Sequence, residues 1–297
     1  MQPTKEQIWH YLKQQFKEGD VIIKLIYINV ALYLSYSVVR VLEFLLRLNS
    51  HVISSFFENW LAIPADFTGS AIKIYTLFTY QFIHFDFLHL FINVLMLFFF
   101  GKLLLQYIGF KKVLPLYLLG GIVGGLVFAA IKFFNIIDVS FMPVVGASAS
   151  VMALMGALGM IAPNYNVKFF FVDIKLKWVL LGFALINFLS ISNPNGAASG
   201  ILHLVGLGFG YAYIYLDKEG VSLYKPVNKI INNIMSRFNK APQPKVSFVN
   251  KNKSEHNQTE KPKNQSQINA ILKKVSEYGY DSLSKQEKEL LFNSSNN

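Results

Sequence analysis

The feature that most constrains this chain is a recurrence of long apolar runs over its first 216 positions. A helix needs about 20 apolar residues to cross the hydrocarbon core of a bilayer. Six such segments are legible: Val21–Leu46, Phe87–Ile108, Val113–Phe134, Val144–Ala162, Trp178–Ile191 and Ala197–Leu216. The fifth is short and its upstream edge is indistinct, so counts of five or seven stay open beside six. The expectation is an all-α polytopic membrane bundle of six transmembrane helices. With 53% apolar and 15% charged residues, the chain is too apolar for an average soluble domain.

The first segment is too long for a cleaved signal peptide, is interrupted by Lys24, Arg40 and Glu43, and has no small-residue cleavage site after it. Arg40, Glu43 and Arg47 are spaced three and four apart and are expected to pair along one helix face. The net charge of +11 is not spread evenly. Lys and Arg concentrate before segment 1 (Lys5, Lys13, Lys17), between segments 2 and 3 (Lys111, Lys112), between 4 and 5 (Lys168, Lys175, Lys177) and in the tail. The alternate loops are poor in them, which places both termini in the cytoplasm. The charge is a topology signal, so no nucleic-acid partner is expected. The absence of cysteine excludes disulfides, thiol nucleophiles and cysteine metal sites.

Residues 1–20 read as a cytoplasmic amphipathic approach to the membrane domain, 21–216. Within that domain, the external connection 49–85 carries Phe56, Phe57, Trp60, Leu61 and Phe67, too apolar for a solvated loop and suited to the membrane interface. Residues 217–265 are basic and polar, which predicts a flexible cytoplasmic linker brushing anionic lipid. In 266–297, Ile268, Ile271, Leu272 and Val275 carry helical spacing, and Gly279 can stop that helix. Ser284 and Glu287 then form a capping box for a second helix ending near Phe292. This small module has little core of its own and is expected to have a partner, of unknown kind.

Polar residues inside spans are costly and mark function. His10, His51 and His256 lie in polar surroundings. His84, His89 and His203 lie at or within spans. His89 and Asn93, four apart, share one face of segment 2, with His84 about a turn outside. His203 precedes Gly206 and Gly210, a GxxxG pair of the kind that brings helices close. Segment 4 offers matching small residues: Gly146, Ala147, Ala149, Ala153, Gly156 and Gly159. Contact between segments 4 and 6 would bring the Ser148 hydroxyl to a histidine base, the minimum for an activated serine. Each feature alone also fits ordinary packing or hydrogen-bonded glue between helices. The first N–H groups of segment 4 lack helical partners and face a positive dipole end, so an oxyanion there would meet free donors. His89 and Asn93 could add side-chain donors. No acid stands near His203, so the arrangement is a serine–histidine dyad. Ser150, two residues on, is rotated about 200° away and is assigned to packing.

GASAS with ALMG, HFDFLHLFIN and HLVGLGFG, in order over six spans, resemble the rhomboid intramembrane serine proteases across about residues 20–216. The resemblance implies Ser148 as nucleophile, His203 as general base, and His89, Asn93 and the Ser148 backbone N–H as oxyanion stabilisers. It implies supporting roles for His84, Gly146, Gly206 and Gly210, a membrane-embedded loop at 49–85, and no cofactor or metal. The expected partners are transmembrane protein substrates and the lipid bilayer, and the expected location is a bacterial inner membrane. SEYGYDSLSKQEKELLF is similar to a C-terminal segment of rhomboid proteins of the Bacteroidetes type.

The chain departs from the pattern at four places. Ala149 stands for a glycine, and Met152 for an aromatic residue beneath the histidine, a space that a polarizable thioether can still fill. Ile74–Tyr75 stands for a proline–tryptophan pair, and Leu105 for an acid. The alternative from another class is a non-catalytic relative that binds client helices. A metal site from His84, His89 and His203 lacks both an HExxH motif and an accompanying acid.

Overall fold

The computed structural model describes residues 19–48, 53–64, 73–136, 143–169, 172–238, 261–278 and 282–295. Residues 1–18 of the amphipathic approach expected at 1–20, and His10, His51, His256 and Gly279, lie outside them. Six apolar helices follow one another: α1 (Val21–Leu45), α2 (Phe87–Ile108), α3 (Phe110–Phe133), α4 (Ser148–Ile161), α5 (Leu176–Ser190) and α6 (Pro194–Lys218). Among the described residues, α1, α2, α3 and the Gly196–Lys218 part of α6 are long and apolar enough to cross a membrane, while α4 and α5 are shorter. Between α4 and α5 runs an antiparallel hairpin, β1 (Asn166–Phe169) and β2 (Val172–Lys175), pairing Asn166 with Lys175.

Local chemistry accounts for several helix starts. Asp20 caps α1 by accepting from the N–H groups of Ile22 and Ile23, and also binds Lys102 of α2. Asp86 caps α2 by accepting from His89 N–H at 2.9 Å. Pro194 opens α6, where its missing N–H has no cost.

The 14-residue α4 spans only about 21 Å, less than a ~30 Å hydrocarbon core. It suffices because protein surrounds it: every residue from Ala149 to Leu158 is buried. On one side α3 presents Gly120, Gly121 and Gly124 to Ala153, Ser150 and Ala149. On the other, α6 presents Gly206 and Gly210, where a Cβ would meet the carbonyl oxygens of Ala149 and Ala153. Apolar burial alone supplies little drive between helices already in lipid, so such backbone-level packing is what joins them. The pairs 149/206 and 153/210 advance together, so α4 and α6 run in the same direction.

The connection after α1 is helical from Ser54 to Phe56 and continues as a wider π-type turn to Leu61. Phe56 and Trp60 are exposed, and Lys73 sits over the Trp60 ring at 3.9 Å. Glu43 pairs with Arg40 along its own helix, as expected, and also turns into this connection. It accepts from Ile53 and Ser54 N–H at 2.7 and 2.8 Å, with Arg40 4.0 Å away.

Residues 224–238 differ from the flexible linker expected over 217–265. They form helix α7 (Tyr224–Phe238), fixed by Asn228 donating to the Lys111 carbonyl. The sequence looks polar overall, yet Val227, Ile230, Ile231, Ile234 and Met235 recur at helical spacing. Contacts divide the chain into Met1–Asn239 and Lys240–Asn297. The second unit contains α8 (Lys261–Tyr278) and α9 (Lys285–Ser295). Its capping box is formed: Ser284 N–H donates to Glu287 at 2.8 Å, and Glu287 N–H to Ser284 Oγ at 3.3 Å. Those bonds and Lys274 hold the Glu287 carboxyl below the usual range.

Candidate active site

The site is organised around the entrance to α4. Its approach is extended and tied on both sides: Val144 and Ile63 exchange backbone hydrogen bonds of 3.0 and 2.9 Å, and Gly146 N–H donates to the Tyr80 carbonyl. Gly146 then turns with φ +116, a conformation that L side chains rarely adopt. Space makes the same demand, since a Cβ there would lie 2.6 Å from Cε1 and 2.7 Å from Nε2 of His89. The glycine two before the serine therefore lets an imidazole lie directly against the chain.

Ala147 N–H donates to His84 Nε2 at 3.3 Å, so that nitrogen carries a lone pair and the ring is neutral. His84 is fully buried and packs edge-on to His89, with ring centroids 5.1 Å apart. It supports both the α4 entrance and His89. Asn93, also buried, donates one amide hydrogen to the His89 carbonyl at 2.9 Å and keeps a second. Helix α4 starts at Ser148 with no side chain capping it. The first-turn N–H groups are therefore left for whatever enters.

Ser148 is partly exposed, whereas Ser150 is fully buried and donates from Oγ to Gln81 Oε1 at 3.0 Å. The two hydroxyls, two residues apart, thus have different environments: one is partly exposed and the other is bonded within the core. His203 is partly exposed on α6, a turn before Gly206, and Met152 is buried against that glycine. Among the described residues neither Ser148 Oγ nor His203 Nε2 makes a hydrogen bond, so the two side chains stand on contacting helices without being joined.

His203 does have a partner on its other nitrogen. Nδ1 lies 2.6 Å from Asn187 Oδ1 on α5. Among the described residues no group of three or more His, Asp or Glu side chains could hold a metal ion.

Residues 71–219 match the family model described as the Rhomboid domain, half of the chain. The chain belongs to the rhomboid family. It is accordingly an integral membrane protein of a family of intramembrane proteases that also has inactive members. Residues 254–297 match a second model, a family of unknown function (DUF6576). No curated protein matches the chain. In this rhomboid protein the sequence reasoning missed Asn187, Gln81 and Asp86. Asn187 carried one available signal, that of an amide within an apolar span. Nothing in the spacing linked it to His203.

Proposed function

We propose that this rhomboid protein is an active intramembrane serine endopeptidase that hydrolyses single-pass membrane proteins near the outer membrane boundary. The observation that carries the reading is the glycine contact between α4 and α6, which holds an uncapped helix start bearing a partly exposed serine beside the face that carries His203. In the proposed reaction, His203 Nε2 takes the proton from Ser148 Oγ, which attacks the carbonyl carbon of an unwound substrate segment. The developing oxyanion is held by the Ser148 N–H, the spare amide hydrogen of Asn93 and the His89 ring. The protonated His203 then gives its proton to the leaving amine, and water hydrolyses the acyl-enzyme by the same route in reverse. The missing Ser148–His203 hydrogen bond is compatible with this course, because catalytic contacts in unliganded sites often tighten only with substrate.

The topology that goes with this reading puts both termini in the cytoplasm of a bacterial inner membrane. The basic loops before α1, between α2 and α3, and around the hairpin support it. In a reconstituted assay with a membrane-tethered reporter, Ser148→Ala and His203→Ala should each reduce cleavage by more than about 10³-fold while leaving the thermal stability unchanged. Undiminished cleavage by Ser148→Ala would overturn the mechanism. Absence of cleavage by the wild type over a substrate panel, with retained binding of those helices, would favour a client-binding relative.

A further inference from the structure

The histidine of the candidate dyad is not alone, and its partner is oriented. Asn187 donates its Nδ2 to the Phe183 carbonyl one turn earlier, at 2.7 Å. That bond fixes which end of the amide faces α6. Oδ1 points at His203 Nδ1, 2.6 Å away. An amide oxygen can only accept, so the short contact requires a hydrogen on Nδ1. In a neutral imidazole the lone pair must then be on Nε2, the nitrogen that a base needs free for a serine.

The backbone fixes the same relation. Gly200 is three residues before His203 and shares its face of α6. A Cβ there would lie 2.5 Å from the Asn187 carbonyl oxygen and would also strike Ser190 Oγ. Ser190 in turn donates to that carbonyl at 2.7 Å. His203 is thus bracketed by two close approaches: Gly200 against α5 and Gly206 against α4. One sets the distance to Asn187 and the other the distance to the α4 entrance.

We infer that Asn187 is a positioning residue that holds His203 in the Nδ1–H tautomer, making the site a serine–histidine–asparagine arrangement rather than a bare dyad. The inference rests on the proteolytic reading above. In serine proteases an aspartate does this work, and an asparagine in its place can fail because its NH2 can point at the ring and impose the wrong tautomer. Here that failure is blocked, because Nδ2 is already committed to Phe183. The amide acts as a neutral acceptor throughout. It orients the ring in the resting site and keeps its bond to Nδ1–H when Nε2 takes the serine proton. A neutral acceptor also avoids a carboxylate in an apolar span.

The test compares Asn187→Leu, Asn187→Asp and Ser148→Ala in the full-length protein in lipid nanodiscs. It uses the tethered reporter and 15N NMR of ring-labelled histidine, with His203 assigned from His203→Gln. Asn187→Leu should lower kcat by about 10- to 100-fold with KM within threefold, and its His203 signal should move from the Nδ1–H form to a tautomer mixture. Asn187→Asp, which keeps an acceptor at the same reach, should recover kcat to within a few-fold above pH 8. Full kcat in Asn187→Leu beside an inactive Ser148→Ala would refute the positioning role while leaving the nucleophile intact. A wild-type His203 signal protonated on Nε2 would refute it whatever the proteolysis shows. A folded Asn187→Asp as impaired as Asn187→Leu would also count against it.

Discussion

Helices α4 and α6 differ sharply from α2 and α5 in how they are held. Between α4 and α6, glycine hydrogens lie against peptide carbonyls, and α4 has no exposed residue from Ala149 to Leu158. By contrast, the first half of α2 exposes Phe87, Leu88, Phe91 and Ile92, and α5 exposes Trp178, Leu181, Leu185 and Ile186. Lipid accepts those side chains, so exposure there carries no penalty. Ser148 and His203 therefore stand on the tightly seamed pair, while His89, Asn93 and Asn187 come from helices held along one face. The helices that carry Ser148 and His203 are set by backbone contact. His89, Asn93 and Asn187 are instead held by side-chain hydrogen bonds: Asp86 to His89 N–H, Asn93 to the His89 carbonyl and Asn187 to the Phe183 carbonyl.

The comparison can be broken most directly at Gly210. A Cβ there would sit inside the Ala153 backbone, which cannot move aside as a flexible side chain could. Gly210→Val should destabilise the fold by about 3 kcal/mol or more and abolish cleavage with it. Thermal unfolding in detergent measures this, and a wild-type midpoint would show that the seam is looser than described. A smaller effect is expected at Ser150→Ala, which removes the donor to buried Gln81 Oε1. Stability should fall by about 1–3 kcal/mol. Fluorophosphonate should still label Ser148, and an adduct lost with Ser150 would reverse the assignment of the two hydroxyls. The smallest effect belongs to Gly208, which is exposed between Gly206 and Gly210 and has nothing within 4 Å of an added Cβ. Gly208→Ala should leave cleavage unchanged and shift stability by no more than about 1 kcal/mol, in the favourable direction. A loss as large as at Gly210 would mean that both faces of α6 are packed alike.

What could be read along the chain follows from local or periodic physics. The apolar segments end within a few residues of α1 to α6, because the length of a run and the cost of an unpaired backbone in lipid are properties of the segment itself. The Ser284–Glu287 box was legible for the same reason: both partners lie within one turn. The Gly206–Gly210 spacing announced a close-packing face. What could not be read were relations across segments. Glu43 does pair with Arg40 along α1, but its bonds to Ile53 and Ser54 N–H depend on how the chain returns after α1. Helix α7 was hidden by a polar composition that masks its apolar stripe.

The apolar helices, with six as the favoured count, the family motifs and the two glycines that invite a close neighbour were legible in the chain, since each depends on residues near one another in it. Packing between helices established that α4 is enclosed on both sides, that Ser150 turns to Gln81 while Ser148 does not, and that Asn187 meets His203. Those outcomes depend on which faces meet across helices and on which of an amide's two ends is already engaged. Neither is encoded in spacing, and both are fixed only when the helices pack.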